Sequence, residues 1–188
     1  MPRSNRERTD ATRTALLDAA RALFVEKGYS ETATPEIVAA ANVTRGALYH
    51  HFEDKKALFA AVVEREAAEV GAAIEAKSAD ATSARDALLQ GASAYFDAMA
   101  VPGRTKLLLR EAPALLADEP AEASLRAGLS KLVAGSKLEP LLGPLTVLIS
   151  AAFDRAAIAV DAGGSREDYE AAIAALLDGL GHADPLRR

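Results

Sequence analysis

The chain has 188 residues, half of them hydrophobic, and a formal net charge of −5. This length suffices for one or two compact cores, and the scarcity of alternating β-branched residues predicts an all-α protein. The absence of cysteine excludes disulfides, thiolate zinc sites and cysteine-based redox sensing. No run of about 18 uncharged apolar residues occurs, and the N-terminus lacks the apolar core of a signal peptide. We therefore expect a cytoplasmic protein that does not enter the membrane.

A basic segment and an amphipathic helix are predicted at the N-terminus. Residues 1–8 carry three arginines in a polar context, which fits either a flexible basic arm that approaches DNA or a disordered solubilising tail. From Thr9 to Lys27, apolar residues recur at helical spacing, and Gly28 stands where a C-terminal cap is expected. This helix should form one side of a small helical core.

The segment from Thr34 to Lys56 has the pattern of a helix-turn-helix. Thr34 is predicted to cap a helix that has Pro35 at its first position. Asn42 tolerates the left-handed conformation, so it can turn the chain sharply ahead of a new cap at Thr44. The helix after Thr44 exposes an arginine, a tyrosine and two histidines, which are side chains suited to base edges and phosphates. These features indicate a DNA-binding domain.

Two further features complete this domain. Leu48 and Phe52, four residues apart, should form the buried face of the second helix. Asp54 is predicted to cap a third helix that continues to about Lys77 and links the domain to the rest of the chain as one rod. We expect the DNA-binding domain to span residues 9–56.

This pattern resembles the DNA-binding domain of the TetR family of bacterial transcriptional regulators. The residues that carry the resemblance are Thr34, Ile37, Ala40, Val43, Gly46, Leu48, Tyr49, His51, Phe52 and Lys55. The chain departs from the family at Asn42, where glycine is usual, and the same backbone conformation accepts asparagine. The resemblance is strong over residues 1–60 and elsewhere extends only to length and helical character, since ligand domains of one family diverge.

The resemblance implies a role for each exposed residue of the domain. Arg45, Gly46 and Ala47 would face the major groove, where Arg45 could bind guanine bidentately; a phosphate contact or a solvated charge is its alternative. Tyr49, His51 and Lys55 would contact phosphates. Thr34 could offer its hydroxyl and the N-terminal amides of its helix to a phosphate, whereas His50 could reach DNA or water. Partial burial is the alternative for Tyr49. The implied DNA-binding residues are Thr34, Thr44, Arg45, Gly46, Ala47, Tyr49, His50, His51 and Lys55.

The charge distribution agrees with this division of the chain. Residues 1–60 contain nine Lys or Arg and eight Asp or Glu, a net charge of +1, which leaves −6 for residues 61–188. A slightly basic domain with locally placed cations suffices for several phosphate contacts per half of a dimer. An acidic remainder discourages nonspecific wrapping of nucleic acid.

Residues 57–188 are predicted to form a helical effector-binding and dimerisation domain, giving about nine helices in total. Capping boxes are expected at Ser83 and Ser165, and Pro113 is expected to kink or break a helix. The last two helices, approximately 144–162 and 166–181, are apolar on more than one face, which favours pairing with a second copy. The TetR resemblance also implies this pairing, in which the last two helices of each subunit form a four-helix bundle. The alternative is that these faces fill the chain's own core.

The resemblance also implies a mechanism, which is ligand-gated repression at a palindromic operator. A small molecule bound within the second domain would shift the connecting helix and release the DNA. The candidate ligand-binding residues are Tyr95, Phe96, Met99, Leu107, Arg110 and Glu111. Arg110 and Glu111 interrupt an apolar run and could orient a ligand, although exposure to solvent explains them equally well. A regulator whose second domain binds a protein partner instead is the alternative function.

Enzymatic and cofactor-binding patterns are not found. The sequence has no nucleophile motif, no glycine-rich phosphate loop and no metal triad. His50 and His51 diverge by about 100° on a helix, so they cannot share one metal ion. We therefore predict a protein that is not an enzyme and needs no cofactor or metal.

Overall fold

The computed structural model describes residues 5–116 and 123–181, within which it has nine α-helices and no strand. The helices are α1 (Asn5–Lys27), α2 (Thr34–Ala40), α3 (Arg45–His51), α4 (Lys55–Ser78), α5 (Ala84–Met99), α6 (Ala112–Leu115), α7 (Ala123–Val133), α8 (Leu142–Asp161) and α9 (Arg166–Gly181). A π-helical segment, Lys106–Glu111, directly precedes α6, and a 3-10 turn, Glu139–Leu141, precedes α8. The prediction of an all-α fold is confirmed.

The chain divides into two compact units, which we call the head and the body. The head consists of the described residues within 1–66 and 106–117, and the body of those within 67–105 and 118–188. We expected a boundary between residues 56 and 57, but α4 continues unbroken and contributes its first half to the head. The segment 106–116 also belongs to the head, because Leu107 and Ala112 are buried in the head's hydrophobic core.

The head is built on a single hydrophobic core. Phe24 of α1 packs edge-on against Phe59 of α4, with ring centroids 5.2 Å apart, and Tyr29 contacts both rings. Such aromatic pairs add to the gain from apolar burial. The buried members are Leu16, Leu17, Ala20, Phe24, Ile37, Leu48, Phe52, Leu58, Phe59, Val62, Leu107 and Ala112. This core fixes α2 and α3 against α1, as the apolar spacing of the sequence predicts.

Several predicted turns and caps of the head are confirmed. Gly28 ends α1 with φ +87°, and Asn42 is the only described non-glycine residue with positive φ, at 52°. The Thr44 hydroxyl accepts the Ala47 amide at 3.1 Å, and the Asp54 carboxylate accepts the Ala57 amide at 2.7 Å. These local bonds set where each helix of the motif begins and ends.

Two predictions about helix starts are wrong. The α1 helix begins at Asn5, four residues before Thr9, so residues 5–8 are helical; the rest of the expected arm lies outside the described residues. Thr34 does not cap α2, because the N-cap is Ala33 and the Ala33 amide donates to the Glu36 carboxylate at 3.0 Å. Glu36 sits three residues after the cap and can reach back to this amide, which leaves Thr34 in the first turn.

The body comprises α5, α7, α8 and α9 packed around shared apolar contacts, together with the C-terminal part of α4. The expected capping residues are present, since the Ser83 and Ser165 hydroxyls accept the amides of Asp86 and Asp168 at 3.0 and 3.2 Å. Close packing of α5 on α7 depends on Gly128, where a Cβ would lie 2.6 Å from a methyl of Leu88.

The expected break at Pro113 takes another form. The π-helical segment Lys106–Glu111 directly precedes the turn that contains Pro113. Proline supplies no N–H and crowds the carbonyl four residues earlier, so the preceding turn widens rather than kinks. The helix start expected at residues 118–120 lies outside the described residues.

The last two helices leave apolar side chains exposed. Val147 and Leu148 of α8 are 57% and 66% exposed, and Leu176 of α9 is 51% exposed. By length and composition alone, Glu139–Asp161 could cross a membrane, with a mean hydropathy of 1.5 over an 18-residue window of which 28% is buried. The core helix of a soluble protein meets the same criteria, so they do not by themselves indicate a membrane span.

Candidate nucleic-acid interface

Helix α3, the second helix of the predicted helix-turn-helix and its expected recognition helix, has one buried and one exposed side. Leu48 and Phe52 are 1% and 6% exposed and hold the helix in the head's core, as predicted. Arg45, Gly46, Tyr49 and His50 face solvent on the other side. A helix that is anchored on one side and exposed on the other can enter a major groove without disturbing the core.

Arg45 and Tyr49 form a pair on this exposed side. The Arg45 guanidinium lies over the Tyr49 ring at 5.5 Å from its centroid, and Tyr49 is 44% exposed. The ring orients the arginine without using its N–H donors, so the guanidinium fork stays available. The partial burial considered for Tyr49 is thus compatible with contact through its hydroxyl.

The first turn of α3 is open enough for close approach to DNA. A Cβ at Gly46 would meet only the Thr44 hydroxyl oxygen, at 3.9 Å, so the packing of the described residues does not require glycine there. Ala47 next to it is half-buried and small. The absence of a side chain at Gly46 therefore leaves space for a base edge or a phosphate.

His50 and His51 lie at the C-terminal end of α3, with ring centroids 5.4 Å apart. The pKa of His51 is lowered, first by burial and then by the charges of His50 and Arg13, while Asp10 acts in the opposite direction. The lowered pKa favours the neutral imidazole over the charged form. No group of three potential metal ligands exists among the residues that the structure describes.

The Lys55 side chain forms hydrogen bonds within the head. Its ammonium donates to the carbonyls of Tyr29 and Thr32 at 2.8 and 3.0 Å and lies 4.3 Å from the Tyr29 ring centroid. At most one of its three N–H donors remains for the phosphate contact expected of it. We infer that its main role is to hold the loop after α1 against the start of α4.

The N-terminus of α2 already has a carboxylate beside it, that of Glu36. Glu36 caps the Ala33 amide and forms an exposed ion pair of 2.5 Å with Lys27. The hydrogen bond and charge of Lys27 lower the pKa of Glu36. Because a carboxylate already sits at this helix end, a phosphate would depend on the Thr34 hydroxyl more than on the helix amides expected to bind it.

The six candidate ligand-binding residues fall in both units. Leu107 is fully buried in the core of the head, and Glu111 accepts the Tyr29 amide at 3.1 Å. Arg110 is exposed, and with Glu111 it lines a cleft of about 300 Å³ beside Gly28 in the head. A Cβ at Gly28 would lie 3.0 Å from the Glu111 carboxylate, so Glu111 contributes to the fold of the head.

The other three candidates lie in the body. Tyr95, Phe96 and Phe153 form an aromatic cluster with ring centroids 5.5–6.3 Å apart, and Met99 is buried on the same helix as Tyr95. The Tyr95 hydroxyl donates to Asp154 at 2.7 Å. Burial raises the pKa of both groups. The sequence did not single out Asp154, because only the fold brings α8 against α5.

Comparison with known proteins agrees with this geometry. The family model described as bacterial regulatory proteins, tetR family, matches residues 16–62, which include α2 and α3. The crystal structure of a TetR-family transcriptional regulator from Pectobacterium atrosepticum is 31% identical, with a TM-score of 0.69. The similarity covers 98% of this chain and 99% of that one.

Curated relatives match over part of their length. The transcriptional regulator AcrR of Shigella flexneri is 42% identical over 71 residues, 38% of this chain and 33% of that protein. The probable acrEF/envCD operon repressor of Escherichia coli K12 is 52% identical over 48 residues, 26% of this chain and 22% of that protein. The match thus spans a third or less of these two relatives. Both are regulators of transcription, in line with the prediction that the chain is not an enzyme.

Proposed function

Because this chain belongs to the TetR family of bacterial transcriptional regulators, we propose that it is a homodimeric repressor that binds a palindromic operator. A small molecule bound in the body releases it from DNA. One observation carries the proposal: α3 buries Leu48 and Phe52 and exposes Arg45 and Tyr49. Repression is favoured because the Escherichia coli relative is named an operon repressor. A protein with this role acts in the cytoplasm.

The residues of α3 divide between base reading and positioning. Arg45 binds guanine through its guanidinium fork, since the Tyr49 ring holds it without consuming its donors. Tyr49, His51 and the hydroxyls of Thr34 and Thr44 contact phosphates, which fix the register but carry no base preference. Gly46 and Ala47 allow the helix to approach the groove, and His50 reaches the backbone at the edge of the site.

Dimerisation through α8 and α9 supplies the second half-site. Val147, Leu148 and Leu176 are more than half exposed on these two helices, and they need a partner surface. A two-fold pairing of the same patch would bury it against itself. Two recognition helices held about 34–36 Å apart would then meet successive major grooves of a palindrome.

The body is the part that binds the effector. Its interior combines the rings of Tyr95, Phe96 and Phe153 with the polar Tyr95–Asp154 pair, and both members of that pair are only partly buried. Ligand sites characteristically combine apolar walls with few polar groups. A coupling of about 1–3 kcal/mol between effector and DNA is enough to change occupancy about 5- to 150-fold.

Selection of DNA by the purified protein tests the first part of this proposal. Sequencing should reveal a palindrome with half-sites one helical turn apart and a guanine at the position that Arg45 reads. Arg45→Ala should weaken binding by about 1–3 kcal/mol and relax the preference for that guanine. Arg126→Ala removes an exposed arginine of α7 and serves as the matched control. Enrichment of no symmetric site would contradict the proposal.

A thermal screen followed by a DNA-release assay tests the second part. Aromatic and amphipathic small molecules that bind the body should raise Tm and release the operator at the same concentrations. A compound that stabilises the protein but leaves DNA binding unchanged would argue against gating by that compound. If no compound in a broad screen raises Tm, a body that binds a protein partner becomes the better description.

A further inference from the structure

Arg13 lies on α1, outside the helix-turn-helix, yet it is held against the end of the recognition helix. Its guanidinium carbon is 5.5 Å from the centroid of the Phe52 ring. Phe52 is the C-terminal cap residue of α3 and only 6% exposed, so the ring is a fixed platform. The arginine itself is exposed. Its position therefore depends on the packing of α1 against α3.

Two other arginines of the head, one on α1 and one on α4, form ion pairs that stabilise the fold. Arg21 pairs with Glu66 at 2.7 Å, and Arg65 pairs with Asp18 at 2.6 Å. Arg13 has neither an ion pair nor a hydrogen bond among the residues that the structure describes. Because a cation–π contact uses none of the guanidinium N–H groups as hydrogen-bond donors, these donors stay available for an anion.

A second donor lies beside this arginine. The His51 ring lies next to the Phe52 ring that Arg13 contacts, with centroids 6.3 Å apart. The charges of Arg13 and His50 lower the pKa of His51 in addition to burial, and the charge of Asp10 opposes them. Cationic and hydrogen-bonding groups thus converge at the end of α3 with one carboxylate near them. A bound anion would offset the repulsion among them.

We propose that Arg13 and His51 together form a phosphate-binding site that holds the DNA backbone beside the recognition helix. The ligand is a phosphodiester of double-stranded DNA, and the inference rests on the function proposed above. The site joins α1 to α3 in contacting one strand. A change that moves α1 relative to α3 would therefore weaken contact with the DNA backbone, even where the residues that read the bases stay in place.

The salt dependence of operator binding tests this site. Fluorescence anisotropy between about 50 and 200 mM salt gives the slope of log affinity against log salt, which falls by about one for each lost phosphate contact. Arg13→Ala in a dimer removes two contacts, so the slope should decrease by about two. The loss of affinity should be uniform across operator variants, because phosphate contacts carry no sequence information.

Two variants serve as controls. Arg13→Lys retains the charge and should keep most of the slope, although it loses the planar fork. Lys131→Ala removes an exposed cation of α7 in the body and should leave the slope at the wild-type value. Circular dichroism melting of each variant checks that the fold is intact, as expected for an exposed side chain.

A pH series tests the histidine. A phosphate next to His51 favours its charged form, so binding should take up protons and tighten as pH falls from 7.5 to 6. His51→Gln should remove this tightening, whereas His50→Gln should retain most of it. Asp10→Asn should strengthen binding, because the opposing carboxylate is lost.

The outcomes separate the two proposals. An unchanged salt slope in Arg13→Ala, with wild-type operator binding intact, would overturn the Arg13–His51 site alone. A His51→Gln protein that retains the full pH response would overturn the same site and leave the proposed function standing. Failure of the wild-type protein to select any DNA would overturn the proposed function and this site with it.

Discussion

The recognition helix α3 and the C-terminal helix α8 leave different kinds of side chain exposed. On α3 the exposed residues include Arg45, Tyr49 and His50, whereas on α8 they include Val147 and Leu148. Each surface is incomplete without a partner, but polar donors suit a nucleic acid and contiguous aliphatic groups suit a second copy of the chain. The two binding events of the regulator therefore rest on separate chemistries and can be broken separately.

The interiors of the two units differ as well. The head has an apolar core around Phe24 and Phe59, with the Arg21–Glu66 pair at its edge. In the body, the hydrogen-bonded pair of Tyr95 and Asp154 is partly buried and lies beside aromatic rings. We infer that the head is built for one rigid geometry, while the body retains polar groups that a ligand could engage.

The largest expected effect comes from a charge placed in the apolar surface of α8. Leu148→Glu would bury two carboxylates without partners in a two-fold interface, which costs several kcal/mol. We expect a monomer at micromolar concentration in analytical ultracentrifugation, and weak operator binding as a consequence. Val101→Glu is the matched control, because Val101 is 37% exposed in the loop after α5. A dimeric Leu148→Glu protein would remove α8 from the interface.

The next effect compares ion pairs of the two units. Glu66 is 2% exposed, so Arg21→Ala would leave its carboxylate without its main partner, at a cost of about 3 kcal/mol in unfolding free energy. In the body, Arg85 and Asp178 form a pair whose side chains are 52% and 37% exposed, and Arg85→Ala should cost at most about 1 kcal/mol. Urea unfolding at a fixed protein concentration measures both. Equal losses would show that burial does not distinguish the pairs.

Much of the fold follows from local sequence signals. Thr44, Asp54, Ser83 and Ser165 cap helices as expected, because the bond each one makes reaches only three residues along the chain. The left-handed turn at Asn42 is local in the same way. The exposed face of α3 was predicted correctly because helical spacing decides which side is buried.

The sequence is less informative where distant segments meet. Lys55 matches a residue expected to bind phosphate, but the carbonyls of Tyr29 and Thr32, more than twenty positions away, accept its hydrogen bonds. Leu107 was expected in a ligand pocket and lies in the head's core, since an apolar residue in a helix gives no sign of which unit it packs against. The contact of Arg13 with Phe52 is not predictable from the sequence, because it exists only in the folded chain.

The smallest effect concerns the polar pair in the body. Burial raises the pKa of Asp154, with the Tyr95 hydrogen bond acting against it. A carboxyl group whose folded pKa lies above its unfolded value favours folding most at low pH and loses that contribution as pH rises through the folded pKa.

The variant Asp154→Asn tests this pH dependence, because it keeps an oxygen acceptor for the Tyr95 hydroxyl but carries no charge. Its Tm should therefore exceed that of the wild type at pH 7, on the order of 1–2 °C, and approach it near pH 4. Asp80→Asn, at an exposed position after α4, controls for the loss of one negative charge. Thermal melts from pH 4 to 8 would decide the matter, and a lower Tm for Asp154→Asn at pH 7 would mean that the charged Asp154 stabilises the body.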